Sequence, residues 1–376
     1  MKIAVDLRSL QTGGAGVSGV ENYILNLLEH LLAIDHDNQY IFFSNALLPE
    51  SFEHLQYVNS TIVQTRIPNR VLNLLLKTLG RPHFEQLIGD FDILFLPNAN
   101  HFGIAPGKKL VVTVHDLSPL ITPQFYNLKR KFWHKFLNTK KIFKRADKLI
   151  AVSNHTKQDL IKLVGIGESK ISVINPGINR DEFDPNISED RLREARNVYG
   201  LPAKYLLFVS TLEPRKNLIG LIKAFEAIDS DAHLVIVGKL GWKYSEILDT
   251  LGKSKKKRMI KYLGYVDEVD KPAIMRLARA VVYPSFYEGF GFVPLEAMSL
   301  GVPVVTSQVS AIPEIVGDAA LLINPYNLDD LAFALSEILE NDTLRTQFIT
   351  RGLERVKRFT WEHAAEQTLA VFNNLK

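Results

Sequence analysis

Two carboxylates, Glu288 and Glu296, enclose the loop Gly289-Phe290-Gly291-Phe292-Val293-Pro294-Leu295. The apolar run Ala280-Val281-Val282-Tyr283 before it reads as a buried strand, broken by Pro284 and Ser285. Pro294 suits a first helical position, where a missing N–H costs nothing, and Gly301 suits the residue past the helix end. A helix N-terminus presents free N–H groups and partial positive charge, which favours a phosphate. Carboxylates repel phosphate but accept hydrogen bonds from sugar hydroxyls. The local chemistry therefore points to a nucleotide or a sugar phosphate.

Other candidates stand where strands end. Glu213-Pro214-Arg215-Lys216-Asn217 places two cations between a strand and a helix, a geometry able to clamp a diphosphate. A solvated charged turn is the plainer reading. Gly238-Lys239 ends the next strand in the same way. The convergence of Arg215/Lys216, Gly238/Lys239 and the Glu288 to Glu296 loop on one sheet edge is the stronger signal. His115-Asp116 ends the strand Leu110-Val111-Val112-Thr113-Val114, where open parallel sheets bind ligands. A capping or core histidine stays open for His115.

Gly14, Gly16 and Gly19 spell GxGxxG, yet residues 8–13 separate them from the first strand, and no acid ends the second strand. A dinucleotide site is disfavoured; a loop touching phosphate or acceptor and a structural turn both remain. Asp35-His36-Asp37 matches a three-letter metal motif but reads as a solvated loop. No other His, Asp or Glu cluster has metal spacing, and the GxSxG and GxxxxGK[ST] motifs are absent.

These residues need a scaffold. Short apolar strands alternate with amphipathic helices along the chain, which predicts parallel sheets. The alternation lapses over residues 179–197, charged and carrying Pro185, and then restarts. At 376 residues two domains are expected. The boundaries read as 1–178, a linker 179–197, a second domain 198–358, and a last helix 359–376 capped by Thr360.

A composition of 46% apolar and 23% charged residues excludes a disordered chain, and zero cysteines exclude disulfides and thiolate metal sites. MKIAVDLRS reads as a strand rather than a signal peptide, and no apolar run is long enough to span a membrane. Residues 129–148 hold nine Lys/Arg against one acid, so the formal net charge of +4 is uneven. Residues 126–146, from Tyr126 to Ala146, read as one basic helix carrying Phe132, Trp133, Phe136 and Phe143. Either its aromatic face packs in the core, or it meets an anionic bilayer surface together with the basic apolar residues 66–81. No nucleic-acid motif accompanies the charge.

From Glu288 to Glu296 the chain resembles the retaining glycosyltransferases of family 4, of GT-B fold, which carry E-x7-E. The resemblance continues through Ala297-Met298-Ser299, Gly301, Pro303-Val304, Pro313-Glu314 and Gly317-Asp318-Ala319-Ala320. Upstream it takes in Leu212 to Asn217, Val152-Ser153, Asn175-Pro176-Gly177, His115-Asp116 and the N-terminal glycine loop. It implies two Rossmann-like α/β domains facing across a cleft, with the nucleotide-sugar donor on the second, the acceptor on the first, and the last helix, 359–376, packing back on the first domain.

By the same resemblance, Glu296 binds ribose and Glu288 the transferred sugar. Phe290, Gly291 and Phe292 offer backbone N–H groups, and Gly238 and Lys239 join the donor site. Val266 lies near the base, Arg215 and Lys216 neutralise the diphosphate, and His115 reaches the sugar. Many members have Gly-Arg-Leu where this chain has Ser210-Thr211-Leu212, so Arg215 stands in for that arginine. The implied activity is retaining transfer of a hexose without a metal or other cofactor. The donor is GDP-mannose ahead of UDP-sugars, and the acceptor a saccharide or lipid-linked saccharide, in polysaccharide biosynthesis. The place is the cytoplasm, peripheral on the inner face of the membrane. A sugar-nucleotide epimerase and a non-catalytic nucleotide-sugar binder are the alternatives.

Overall fold

The computed structural model describes residues 1–10, 18–46, 52 and 55–376. The chain forms two compact units. One comprises Met1–Leu117, Lys129–Gly177 and Thr360–Lys376; the other comprises Ser118–Leu128 and Ile178–Phe359.

The first unit holds a seven-stranded sheet ordered β3-β2-β1-β4-β5-β6-β7. Its strands are β1 (Lys2–Asp6), β2 (Gln39–Asn45), β3 (Ser60–Thr65), β4 (Ile93–Leu96), β5 (Lys109–Val114), β6 (Lys148–Ala151) and β7 (Ile171–Val173). The second holds a six-stranded sheet ordered β10-β9-β8-β11-β12-β13. Its strands are β8 (Tyr205–Val209), β9 (His233–Val237), β10 (Ile260–Gly264), β11 (Ala280–Tyr283), β12 (Val304–Ser307) and β13 (Leu321–Ile323). The central strands are apolar and buried throughout, as a parallel sheet covered on both faces requires. Strand order reverses between β1 and β4 and between β8 and β11, so each sheet has a switch point where the loops diverge and leave a crevice.

In the first unit, α1 (Gly19–Ile34) begins with a capping box. Ser18 Oγ accepts from Glu21 N at 3.3 Å, and Ser18 N donates to Glu21 at 2.5 Å. Next comes α2 (Asn69–Leu79). The expected single basic helix is two, α3 (Leu128–Leu137) and α4 (Thr139–Arg145). Asn138 between them has φ 50°, a left-handed conformation that Asn tolerates and a continuing helix does not. Tyr126 precedes α3 and belongs with the second unit.

The expected linker contains a helix, α5 (Glu189–Tyr199), capped by Ser188 and ended by left-handed Gly200. Its charged residues form partners rather than a solvated spacer: Arg191 pairs with Asp270, and Tyr199 OH donates to Asp270 at 2.5 Å. Ala195 is its buried residue, which is why apolar periodicity did not reveal it.

Beyond it, α6 (Leu218–Ala227) presses Leu218, Leu221, Ile222 and Phe225 into the core of the second unit, each contributing roughly 1.5–3 kcal/mol through burial. Then α7 (Phe292–Ser299) follows β11. Pro294 is its third residue rather than its first, still within the turn whose N–H groups lack intrahelical acceptors. Gly301 follows the C-cap at φ 66°. The C-terminal α8 (Trp361–Asn373), N-capped by Thr360, returns to the first unit and packs along α1. Phe372 meets Phe95 edge-on at 5.3 Å, and Trp361 meets Tyr23 at 5.8 Å. A side chain at Gly177 would collide with Trp361, so this docking requires glycine in the Asn175-Pro176-Gly177 turn.

Candidate active site

Strands β8 and β11 are neighbours, so the turns that follow them start side by side at the switch point of the second sheet. After β8, Leu212 is held by N–H donation to Lys239 O at 2.9 Å. Pro214–Lys216 then form one tight 3-10 turn, closed by Asn217 in a left-handed conformation (φ 58°). Asn217 Nδ2 donates to Pro325 O at 2.9 Å, which fixes the turn against the segment after β13. Arg215 and Lys216 are thereby aimed at the loop after β11.

Both cations converge on Glu288. Lys216 Nζ donates to Oε1 at 2.6 Å, and Arg215 Nη1 to Oε2 at 3.0 Å. Tyr283 OH donates to Oε1 at 2.9 Å and accepts from Lys216 at 2.7 Å. Arg215 also pairs with Glu213 (Nε to Oε1, 3.0 Å) and donates to Tyr287 O at 2.6 Å. Glu213, Lys216 and Glu288 are buried.

Burial pushes the Glu288 carboxyl up, but Arg215 and Lys216 outweigh it and hold it at about 2. Burial, aided by Arg215, draws the Lys216 ammonium below its ordinary value against the pull of Glu288. Burial raises the Glu213 carboxyl, with Arg215 opposing. The result is a preorganised pair of cations with two carboxylate counter-ions, Glu213 and Glu288. An incoming anion would meet two cations already held in place, and would displace Glu288 from them.

Glu296, on α7, belongs to a second cluster. Its Oε1 accepts from Lys271 Nζ at 3.2 Å, and Lys271 also pairs with Glu268 at 2.9 Å. Burial raises the Glu296 carboxyl, with Lys271 opposing. Its Oε2 is buried without a hydrogen-bond partner, an acceptor with a vacant valence. That is the property a hydroxyl ligand would use.

The other residues expected to bind the donor stand after β9, β10 and β11. Gly291 N-caps α7 at φ 131°, where a side chain would strike Ile312. Phe290 is buried and meets Phe292 edge-on at 5.2 Å. Gly238 has φ 142°, and a Cβ there would overlap Ser210 O, so the closeness of the β8 and β9 ends demands glycine. Lys239 is half-buried beside it. Val266 is buried just beyond β10.

In the first unit, His115 follows β5 and is half-buried. Its Nε2 lies 2.8 Å from Pro97 O. A carbonyl only accepts, so Nε2 carries the proton, and the neutral ring presents Nδ1 as acceptor. Burial lowers its pKa, with the Pro97 carbonyl and Asp116 opposing. Tyr23 meets the ring edge-on at 4.7 Å and bonds Thr113 Oγ1 at 3.2 Å, fixing the imidazole from α1. Gly19 is the first residue of α1; Gly14 and Gly16 lie outside the described residues.

Asp35 is not a solvated acid. It is buried and accepts from Asn38 and from Tyr40 OH, closing the α1–β2 turn. Among the described residues no His, Cys, Asp or Glu group is arranged to hold a metal ion.

The sequence reading missed Tyr283 and Lys271. Tyr283 was read only as the end of a buried strand, although a hydroxyl there emerges at the sheet edge. Lys271 sits among Asp267, Glu268 and Asp270, a lone cation whose acidic neighbours were the available signal. At the first sheet's switch point Arg8 was missed as well. It is buried, forks onto Asp6 (2.8 and 2.7 Å) and donates to His101 O at 2.6 Å.

On the surface of the first unit, α3 exposes Phe132 and Trp133 beside Lys129, Arg130, Lys131 and Lys135. Lys77 of α2 lies 3.6 Å over the Phe136 ring, and α2 exposes Val71, Leu74 and Leu79. Neither of the two alternatives for this region covers it whole: Phe143 of α4 is buried, while Phe132 of α3 faces solvent.

Residues 193–355 match the family described as "Glycosyl transferases group 1", and residues 17–182 match "Glycosyltransferase Family 4". O-antigen chain mannosyltransferase B of Escherichia coli is 32% identical over 277 residues, 71% of each chain. Among solved structures, sucrose-phosphate synthase from Thermosynechococcus elongatus superposes with TM-score 0.78 at 22% identity, over 100% of this chain and 99% of that one. HepE of Anabaena, solved with UDP-glucose, superposes with TM-score 0.73 at 18% identity over the whole of both chains.

Proposed function

We propose that this chain, which belongs to the group 1 glycosyltransferases of family 4 and has a two-domain α/β GT-B fold and hexosyltransferase activity, moves mannose from GDP-mannose to a saccharide or lipid-linked saccharide, retaining anomeric configuration. The observation that carries the reading is the convergence of Arg215 and Lys216 on Glu288 at the β8/β11 switch point.

A diphosphate entering there takes over the two cations, and Glu288 turns its freed oxygens to the hydroxyls of the transferred sugar. Charge building on the departing phosphate is met by Arg215, Lys216 and the N–H groups of Phe290, Gly291 and Phe292, which lead into α7. Glu296 Oε2 accepts from a ribose hydroxyl, Val266 abuts the base, and Gly238 and Lys239 border the phosphates. His115 accepts a sugar hydroxyl at Nδ1. The glycine loop ending at Gly19 serves the acceptor. The leaving phosphate assists deprotonation of the acceptor hydroxyl, so no protein nucleophile is assigned. Cationic side chains take the part of a metal, and EDTA is expected to leave the rate unchanged.

Mannose is favoured by the mannosyltransferase relative; the UDP-glucose held by HepE makes a UDP-sugar the second choice. An epimerase and a non-catalytic binder are set aside, because the mannosyltransferase relative and both matching families are transferases.

Among the described residues no helix is long and apolar enough to cross a membrane. Peripheral attachment on the inner, cytoplasmic face rests on the cationic and aromatic surface of α3, with α2 beside it. Proton NMR of the product tests the chemistry. An α-mannoside made only when acceptor is present supports the proposal. Donor conversion without acceptor, or an inverted product, contradicts it.

A further inference from the structure

The segment Ser118–Leu128 lies in sequence between β5 and β6 of the first unit but folds as part of the second. Aromatic residues attach it there. The Phe125 ring stacks on Phe286 (5.3 Å, 14° between planes), and Phe286 stacks on Tyr326 (4.9 Å, 30°). Tyr126 stacks on Trp242 (5.4 Å, 16°). Trp242 Nε1 donates to Phe125 O at 2.8 Å, and Lys243 Nζ donates to Gln124 O at 2.7 Å.

The two places gripped are not incidental. Phe286 stands two residues before Glu288, and its N–H donates to Arg215 O at 2.9 Å. The next residue, Tyr287, gives its carbonyl to the Arg215 guanidinium. Trp242 is three residues past Lys239, in a loop tied back through Gly241 N to Leu212 O at 3.0 Å. One short strap therefore holds both the loop that carries Glu288 and the loop that carries Gly238 and Lys239. Stacked aromatic pairs contribute about 0.5–1.5 kcal/mol each beyond burial. That is enough to bias loop geometry and too little to hold the unit together.

We propose that Phe125 and Trp242 are positioning residues of the donor site: through Phe286 they set the Arg215–Lys216–Glu288 cluster in its anion-binding geometry. The strap runs directly into α3, the helix with the exposed cationic and aromatic surface, and directly from His115-Asp116.

This inference rests on the donor-site reading above, and the test separates the two. GDP and UDP are titrated by calorimetry into wild type, Phe125→Ala, Phe125→Tyr and Trp242→Phe. Phe125→Ala is expected to weaken the better-bound nucleotide roughly tenfold, about 1.4 kcal/mol. Phe125→Tyr, which restores the ring, returns it to the wild-type value. Trp242→Phe keeps the stack, loses the hydrogen bond and weakens binding less. A folded Phe125→Ala that binds like wild type overturns the strap while leaving the donor site intact. Should that variant fail to fold, wild-type affinity in Trp242→Phe overturns it, and weakened affinity with an unchanged melting temperature supports it. No binding of either nucleotide to wild type overturns the donor-site reading, and the strap with it.

Discussion

Glu288 joins two chemistries that its sequence neighbourhood had kept apart. The E-x7-E pattern singles out both glutamates but says nothing about their partners. In the fold, Glu288 shares its oxygens among Lys216, Arg215 and Tyr283, whereas Glu296 faces Lys271 with one oxygen unpartnered. Lys216→Ala leaves Glu288 paired with Arg215, so the fold should persist. Losing one preorganised cation should lower the transfer rate roughly 100- to 1,000-fold, read in steady-state assays. Glu288→Ala leaves buried Lys216 without its carboxylate partner, while Arg215 keeps Glu213, and should cost roughly 3–5 kcal/mol in denaturant unfolding as well as activity.

The pH dependence has a definite sign. Against the upward push of burial, the two cations depress Glu288 to about 2, so its charge stabilises the folded state. That contribution is complete above the ordinary carboxylate value near 4.5 and fades as pH falls toward about 2. Melting temperatures should decline across that window in wild type and decline less in Glu288→Gln. An unchanged slope in the variant would remove Glu288 from the account of acid stability.

At the scale of elements, the strands were largely legible and the polar helices were not. Runs such as Ile93 to Leu96 and Ala280 to Tyr283 are apolar on both faces, and burial leaves them no alternative. β3 was missed because Ser60–Thr65 is an edge strand, half-buried and without clean alternation. α5 was missed because ion pairs with the helix start at Asp270, rather than an apolar stripe, hold it. The division of the basic segment at Asn138 has a functional corollary. Phe143 is spent in the core, leaving the α3 surface, with Phe132 and Trp133, as the candidate membrane contact. Phe132→Ser with Trp133→Ser should reduce sedimentation with anionic phosphatidylglycerol vesicles at least tenfold. Transfer to a soluble acceptor should be unchanged. Wild-type sedimentation by the double variant would rule that surface out.

For the whole molecule, the family was legible because several motifs lie in order along nearly the full length. The division of labour was less so: no composition shift marks Ser118–Leu128 as part of the second unit, since long-range aromatic stacking places it there. The return of α8 to the first unit was foreseen only through family resemblance; its physical cause is the seat that Tyr23, Phe95 and Gly177 make for Trp361 and Phe372. Truncation before Thr360 uncovers that seat and should lower the melting temperature by several degrees, measured by calorimetry.

The central claim is that Arg215 and Lys216 form the diphosphate site of a nucleotide-sugar donor. It is tested most directly by melting wild type and Lys216→Ala with GDP, UDP and ADP, each alone and as its sugar conjugate. A ligand at one hundred times its dissociation constant stabilises by about 2.7 kcal/mol. The account predicts an upward shift with GDP and GDP-mannose in wild type that disappears in Lys216→Ala. No shift with any nucleotide, or an equal shift in the variant, would contradict it.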